Sequence, residues 1–206
     1  MKKRIGAVER LFPMQCPLVV GGTMDEADVL AVAWINVVAS TPPTIAMGLR
    51  HTRHTLSLIK RNDSFTVNIP RADMADVVDF CGLASGRSTD KFAVAGLTLA
   101  PSAIVETPII VECPYNIECR VTGETEVGAY RVILGEIVEA HADEDILRDP
   151  EGDLIDIEAL DPLVYLAGVR EYHRLGGKVA DAFSAGRELL GSGKRAFGRS
   201  LGAPLS

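Results

Sequence analysis

The chain has 206 residues, of which 47% are hydrophobic and 24% charged, a balance typical of one globular domain with a terminal extension. Its 21 basic and 28 acidic residues leave a formal net charge of −7. A chain with this charge is poorly suited to binding the phosphate backbone of nucleic acids, so we expect no nucleic-acid partner.

The N-terminal segment MKKRIGAVERLF has basic residues but not the apolar stretch of a signal peptide, because Glu9 and Arg10 interrupt it. The sequence also lacks a run of about 18 apolar residues that would predict a membrane-spanning helix. We therefore expect a cytoplasmic protein with no membrane partner.

The first third of the chain predicts strands separated by short turns. Apolar runs predict strands over residues 17–23, 30–38, 44–49 and 65–69. The polar segment DEAD at residues 25–28 predicts a turn between the first two strands, and the two prolines after Thr41 are expected to end the second strand. Leu56 and Ile59 predict a short helix before the fourth strand.

The middle of the chain predicts helices. An apolar stripe at helical spacing over residues 74–81 predicts an amphipathic helix that ends at Gly82. The polar residues 88–90 predict the cap of a short helix that begins at Lys91 and ends at Gly96.

The second half returns to strand patterns, predicted over residues 109–112, 115–122, 130–140 and 162–167. Apolar residues between 179 and 190 predict a C-terminal helix, and residues 191–206 a frayed tail. Strands joined by short turns favour a mainly β fold, an antiparallel barrel with helices packed outside it. The glycine motifs of Rossmann and P-loop nucleotide sites are absent.

The four cysteines form no C-x-x-C pair, so the sequence does not indicate a zinc ribbon or a thioredoxin-like site. We expect all four to be buried, reduced side chains. They are Cys16, Cys81, Cys113 and Cys119.

Alternation along the second strand places Trp34, Asn36 and Val38 on one face. An indole and an amide on one face could hold an aromatic ligand that also accepts and donates hydrogen bonds. The alternative is a tryptophan packed at the end of the barrel, with Asn36 bonded to the backbone.

A basic turn, RHTRHT, follows the third strand at residues 50–55. Thr52 is expected to cap the next helix, which would place Arg53 and Thr55 in its first turn, where N–H groups and the helix dipole attract phosphate. The alternative is a solvated basic surface. His51 and His54 have no further metal-ligand types nearby, so we predict no metal site.

Several motifs, taken in order, resemble the flavin reductase-like family, whose fold is the FMN-binding split barrel. They are LVVGGT, VAWINVVASTPPTIAMGLRHTRHT, FTVNIP, STDKF followed by GLT, ECR, GEIV and DPLVY. The resemblance covers residues 11–175, and flavoredoxin-like members are the most similar. It implies an antiparallel Greek-key split β-barrel with peripheral helices over residues 1–175, and a C-terminal helix and flexible tail over residues 176–206.

The resemblance also implies that FMN is bound non-covalently. Arg53, Thr55 and Lys91 would surround its phosphate, and Tyr130 would reach the ring from a neighbouring subunit. Where relatives often have D-G-x-x-N, this chain has DEAD, so that Asp28 replaces an amide donor. The full set of implied flavin contacts is Asp28, Trp34, Ile35, Asn36, Ser40, Arg53, Thr55, Lys91 and Tyr130.

The function that the resemblance implies is that of a homodimeric oxidoreductase, which moves electrons from NADH or NADPH through bound FMN to an acceptor. Two alternatives stay open. One is a flavoredoxin-type carrier that passes electrons between redox protein partners and has no nicotinamide site of its own, and the other is a flavin-storage protein. No catalytic side chain is assigned, because the flavin itself carries the redox chemistry.

Overall fold

The computed structural model describes residues 1–149, 151–187 and 189–190. The chain divides into two compact units, Met1–Leu175 and Gly176–Ser206. The strands of the first unit are β1 (Met14–Gln15), β2 (Leu18–Gly22), β3 (Ala27–Ala31), β4 (Ile35–Ser40), β5 (Pro43–Arg50), β6 (Ser64–Ile69), β7 (Leu99–Ala100), β8 (Ile109–Ile110), β9 (Tyr115–Val127), β10 (Tyr130–Ala142), β11 (Val164–Leu166) and β12 (Glu171–His173). Its helices are α1 (His54–Asn62), α2 (Ala75–Leu83), α3 (Lys91–Ala95) and α4 (Ile157–Leu160).

The main sheet has seven strands in the order β3-β2-β6-β9-β10-β5-β4, and every neighbouring pair is antiparallel. Its two edge strands, β3 and β4, are consecutive in the chain. Val32 N–H donates to the Pro17 carbonyl at 3.0 Å, beside β2, while the Trp34 carbonyl accepts from Gly48 N–H at 2.9 Å, beside β5. Residues 32–34 therefore join the two edges, and the sheet curls into a barrel that is open between β3 and β4.

Alternation along the strands divides the apolar residues into two cores. On β2, Val19 faces the barrel interior, whereas Leu18 and Val20 face outward against α2 and the β7–β8 hairpin. The interior core is completed by Leu30, Val32, Ile45, Met47, Leu49, Leu56, Ile59, Phe65, Val67, Cys119 and Ile133. The mainly β, antiparallel fold predicted from the sequence is confirmed.

Helix α1 packs on the barrel through Leu56 and Ile59. The helix approaches β2 closely at Gly21, where an added Cβ would lie 2.7 Å from Ile59 Cγ1 and 3.0 Å from the Thr55 carbonyl oxygen. Only a glycine permits this approach without a shift of the helix, and the approach sets the position of the N-terminus of α1.

In the first third of the chain, the local predictions differ from the structure at three places. The strand predicted over residues 30–38 is divided into β3 and β4, and Asp28 lies inside β3 rather than in a turn. The turn occupies residues 23–26, where Thr23 N–H donates to the Glu26 carbonyl at 3.0 Å. Thr52 does not cap α1, because the helix begins one residue later and Arg53 is its N-cap residue.

The helix predicted at residues 91–95 is confirmed as α3. The Asp90 carboxylate caps it by accepting from Ala93 N–H at 3.0 Å, and Gly96 ends it in the left-handed conformation, with φ of 68°. The helix predicted over residues 74–82 is α2, preceded by a 3-10 turn at Ala72–Met74. The short elements β1, β7, β12 and α4 are additions that no sequence pattern indicated.

In the second unit, residues 182–186 form hydrogen-bonded turns, and only residues 187, 189 and 190 are helical, so the described part of the predicted C-terminal helix is shorter than expected. The tail predicted from residue 191 lies outside the described residues. No helix within the described ranges has the length and apolarity needed to cross a membrane.

The four cysteines are buried and free, as predicted. Burial raises the pKa of the Cys81 thiol to about 11 and those of Cys16 and Cys119 to about 12. These thiols are therefore neutral core side chains near pH 7.

Candidate functional site

A groove opens where the barrel is split. Its first part, which we call the aromatic cleft, has a volume of about 320 Å³ and is lined by Trp34, Gly48, Tyr130, Tyr165 and Arg170, among others. Its second part, the basic cleft, has a volume of about 510 Å³ and lies at the N-terminus of α1. The two parts are continuous, because Leu30, Arg50 and Arg53 line both.

The wall of the aromatic cleft is a pair of rings. Trp34 and Tyr130 meet edge to face, with centroids 5.0 Å apart and an interplanar angle of 73°. Arg50 Nε donates to the Tyr130 hydroxyl at 2.9 Å, and its guanidinium carbon lies 5.2 Å from the centre of that ring. Antiparallel pairing places Tyr130 directly opposite Arg50. Trp34 is 41% exposed, so part of the indole is free to contact a ligand.

The basic cleft contains the first turn of α1, which has no acidic residue. The first N–H groups of a helix have no partner within the helix and attract anions. Arg53 donates one guanidinium N–H to the Gly82 carbonyl at 3.1 Å. Among the described residues neither Arg53 nor Arg50 forms an ion pair with a carboxylate, so both keep their full positive charge toward the groove.

The floor of the basic cleft is a buried polar cluster of Asp28, Thr55 and Lys91, whose exposed fractions are 4%, 1% and 3%. Asp28 Oδ2 accepts from the Thr55 hydroxyl at 2.6 Å, and Asp28 Oδ1 lies 3.1 Å from Lys91 Nζ. Lys91 also donates to the carbonyls of Val29 and Cys81. The side-chain donors of Thr55 and Lys91 are thus directed to protein acceptors.

The loop between α2 and α3 covers this cluster. An added Cβ at Gly86 would lie 2.2–2.6 Å from the atoms of the Asp28 carboxyl group, so the loop can lie there only with glycine at that position. Arg87 ties the same loop to the turn before α1 by donating to the Thr52 carbonyl at 2.9 Å. The wall and the floor of the basic cleft are therefore held together.

The structure brings most of the residues predicted at the site to this groove. Asp28, Arg53, Thr55 and Lys91 line the basic cleft, and Trp34 and Tyr130 line the aromatic cleft. Tyr130 contacts Trp34 of its own chain, and its contact with the flavin of a neighbouring subunit, which the family resemblance implied, stays a prediction.

Three predicted residues line neither of the two clefts, although the side hollow that holds two of them shares Glu9, Ala33 and Trp34 with the aromatic cleft. Ile35 and Asn36 line a side hollow of about 320 Å³ beside Trp34, where Asn36 Oδ1 accepts from Val37 N–H at 2.9 Å. Ser40 is exposed at the far end of β4, about 20 Å from Trp34 at the usual rise of an extended strand. The structure does not bring Ser40 to the groove.

Sequence reasoning missed Arg50, Tyr165 and Arg170 as lining residues. Arg50 lies within the basic turn at residues 50–55 and Tyr165 within the DPLVY motif, but no local pattern distinguishes either of them as a lining residue. Arg170 has φ of 60°, an uncommon conformation for a residue other than glycine, and its guanidinium group forms no hydrogen bond or ion pair with the described residues. That conformation is not visible in a sequence.

The described residues contain no group of three or more histidine, cysteine, aspartate or glutamate side chains arranged to hold a metal ion. Of the two histidines of the basic turn, His51 contacts the β9–β10 turn, where its Nε2 lies 3.3 Å from the Gly128 carbonyl oxygen.

Comparison with known proteins gives a consistent result. Residues 10–176 match the model of the flavin reductase like domain. The flavoredoxin of Desulfovibrio vulgaris (Miyazaki F) is 36% identical, with a TM-score of 0.84 over 90% of this chain and 100% of that chain. The flavoredoxin of Methanosarcina acetivorans is 29% identical, with a TM-score of 0.81 over 91% of this chain and 100% of that chain.

A split-barrel protein of Shewanella frigidimarina shares the fold at 19% identity, with a TM-score of 0.72 over 82% of this chain and 85% of that chain. The split-barrel architecture implied by the resemblance is therefore confirmed. Because the family model spans most of the sequence, this chain belongs to the flavin reductase-like family.

Proposed function

We propose that the groove binds FMN non-covalently and that the protein is an oxidoreductase, which moves electrons from NADH or NADPH to an acceptor. The observation that carries this proposal is the continuity of an aromatic wall with a basic cleft. FMN joins a planar aromatic ring system to a phosphate dianion, and the groove offers a complementary surface to each.

The residues present fit such a group. Trp34 and Tyr130 form a wall on which a ring system packs, and such aromatic contacts are worth about 1 kcal/mol beyond the burial of area. Arg53, Arg50 and the first N–H groups of α1 would hold the phosphate. Bound flavin supplies the hydride and electron transfer, while the protein supplies position and electrostatic environment.

Near the flavin ring, the protein would supply two positively charged side chains and an opening to solvent. The hydrogen bond from Arg50 Nε to the Tyr130 hydroxyl positions the Arg50 side chain. Arg170 lies in a tight turn, in which its backbone N–H donates to the Leu166 carbonyl at 2.8 Å. Both line the aromatic cleft, which is open to solvent beside the exposed indole of Trp34. This opening allows a second reactant to approach the ring.

Trp34 is the only tryptophan of the chain, so its fluorescence tests whether the cofactor binds at the aromatic wall. We expect titration of the apo-protein with FMN to quench this emission, after correction for inner-filter absorption. Unchanged emission at saturating FMN would place the ring elsewhere.

Anaerobic mixing of the FMN-loaded protein with NADH or NADPH in a stopped-flow instrument tests the electron source. Rapid bleaching of the flavin absorbance supports the reductase. If the flavin is not bleached by either nucleotide but is reduced by a protein donor, the electron-carrier alternative replaces it. The similarity to two flavoredoxins is the reason to test a protein electron donor beside the two nucleotides.

We also propose that two chains form a homodimer, as the family resemblance implied. Strand β4 is an edge of the sheet and exposes Val37 and Val38 by 57% and 58%, and Val127 of β9 is 58% exposed. An exposed apolar edge strand is a ready surface for pairing. A strict monomer in sedimentation at micromolar concentration would contradict this.

The cytoplasmic location expected from the sequence stays a prediction.

A further inference from the structure

The buried Asp28 carboxylate lies at the floor of the basic cleft, in which the phosphate of FMN is proposed to bind. We propose that Asp28 is a specificity-determining residue, which neutralises Lys91 and so sets how strongly the basic cleft favours phosphate. Phosphate selectivity then rests on Arg50, Arg53 and the N-terminus of α1. The part of this inference that concerns FMN rests on the proposed function, whereas the part that concerns inorganic phosphate does not.

The hydrogen-bond donors of the floor are already used within the protein. An ammonium group has three N–H donors, and Lys91 Nζ has three protein acceptors, namely Asp28 Oδ1 at 3.1 Å and the carbonyls of Val29 and Cys81. The single hydroxyl proton of Thr55 is donated to Asp28 at 2.6 Å. A phosphate dianion only accepts hydrogen bonds from such groups, so neither side chain has a donor left for it.

The charges lead to the same conclusion. Lys91 and Asp28 cancel each other at the floor, which leaves the guanidinium groups of Arg50 and Arg53 as the uncompensated charges that line the basic cleft in the described chain. A carboxylate next to an anion repels it. In a partly screened protein environment, removing one such charge at about 5 Å changes affinity by tenfold or more.

Packing keeps the pair in place. The exposed fractions of the Asp28 and Lys91 side chains are 5% and 2%, and Gly86 lies so close to the carboxyl group that no side chain fits between them. The pair therefore cannot rearrange toward the cleft without moving the loop that covers it. The chemical identity of residue 28, rather than a movement of Lys91, sets the charge of the floor.

The test compares the wild type, Asp28→Asn and the double variant D28N/K91M. Inorganic phosphate is the first probe. Its binding is measured by isothermal titration calorimetry and by the shift of the thermal unfolding midpoint with phosphate concentration. The second measurement is the ratio of FMN to riboflavin affinity, since riboflavin lacks the phosphate. Glu124→Gln, on the surface of β9, is the control that changes net charge by the same amount.

We expect Asp28→Asn to bind phosphate at least about tenfold more tightly and to raise the FMN-to-riboflavin ratio by a similar factor. The double variant, with both charges removed, is expected to return to within about threefold of the wild type. Glu124→Gln is expected to change neither quantity.

The proposal is overturned if Asp28→Asn leaves phosphate affinity unchanged, or if the double variant loses phosphate binding, because Lys91 would then be a direct ligand. Should Asp28→Asn fail to fold, the double variant still decides: retained affinity supports the proposal and a tenfold loss overturns it. If the phosphate affinities change as expected but neither the wild type nor the variants bind FMN, the proposed function is wrong, whereas the inference about Asp28 and inorganic phosphate is supported.

Discussion

Two buried carboxylates of this protein, Glu118 and Asp28, have similar burial and different surroundings. Glu118 is fully buried on β9 and accepts from the consecutive backbone N–H groups of Ala103, Ile104 and Val105 at 2.7–2.9 Å, and its Oε1 lies 2.6 Å from His141 Nε2. Asp28, on β3, is 4% exposed and is bonded by the side chains of Thr55 and Lys91.

The two carboxylates differ in where their hydrogen-bond donors lie. The donors of Glu118 belong mainly to the backbone of one loop, so the carboxylate fastens that loop to the barrel. The donors of Asp28 line a cleft, so the same kind of burial sets the charge of a binding surface. A buried carboxylate is thus structural or functional according to where its partners lie, and the predictions that follow test that distinction.

The largest effect is expected from Lys91→Met. This change leaves the buried Asp28 carboxylate without its cation, and removing one partner of a buried ion pair typically costs about 3–5 kcal/mol of unfolding free energy. Urea denaturation measures the loss. The double variant D28N/K91M is expected to recover most of it. A loss below about 1 kcal/mol in Lys91→Met would show that the pair contributes little.

A smaller but still large effect is expected from Glu118→Gln. The amide offers one acceptor oxygen where the carboxylate offers two, so at least one of the three part-buried backbone N–H groups loses a charge-assisted bond, at a cost of about 2–4 kcal/mol in total. Phosphate binding in the basic cleft is expected to be unchanged. Glu126→Gln, which breaks an exposed ion pair with Arg131, is the control and is expected to cost less than about 0.5 kcal/mol.

Arg53→Ala acts on binding at the cleft. We expect it to weaken FMN binding by about 1.5–3 kcal/mol, the value typical of hydrogen bonds to a charged group, and to leave riboflavin affinity nearly unchanged. Fluorescence titration measures both. Arg61→Ala, in the last turn of the same helix, is the matched control. Equal losses for FMN and riboflavin would show that Arg53 does not contact the phosphate.

The smallest effect is a pH dependence that belongs to Glu118. Burial raises the pKa of this carboxyl group, but hydrogen bonds from His141 and the backbone of Ala103, Val105 and Ile104 outweigh it and hold the pKa below its ordinary value of 4.5. The unfolded chain then takes up the proton first. The contribution of Glu118 to stability is complete above that value and is lost as pH falls through the folded-state pKa.

At about pH 4, just below the ordinary pKa of 4.5, only part of this contribution is lost, which makes the effect small. The difference in unfolding free energy between the wild type and Glu118→Gln is therefore expected to be smaller at about pH 4 than at about pH 7. A difference that grows in acid would contradict the direction of the pKa shift.

Local patterns predicted much of the fold because they depend on neighbours in the chain. The Asp90 cap and the terminal Gly96 define α3, and period-two alternation gives β2 its two apolar faces. The same reasoning placed Asp28 in a turn, since acidic residues favour turns when nothing is known of their partners. Its partners are Thr55 and Lys91, which lie 27 and 63 residues further along the chain.

The sequence alone was enough to predict antiparallel strands and a basic turn before α1, and its motifs resemble those of the flavin reductase-like family. The strands and the turn follow from patterns within a few residues, whereas the family is implied by the resemblance of motifs taken in order over residues 11–175. The tertiary structure is needed to show that Trp34, Arg50 and Tyr130 form one wall, and that Lys91, at the floor of the basic cleft, donates to a carboxylate. Such pairings depend on barrel closure, which brings distant segments together with a geometry that no local pattern specifies.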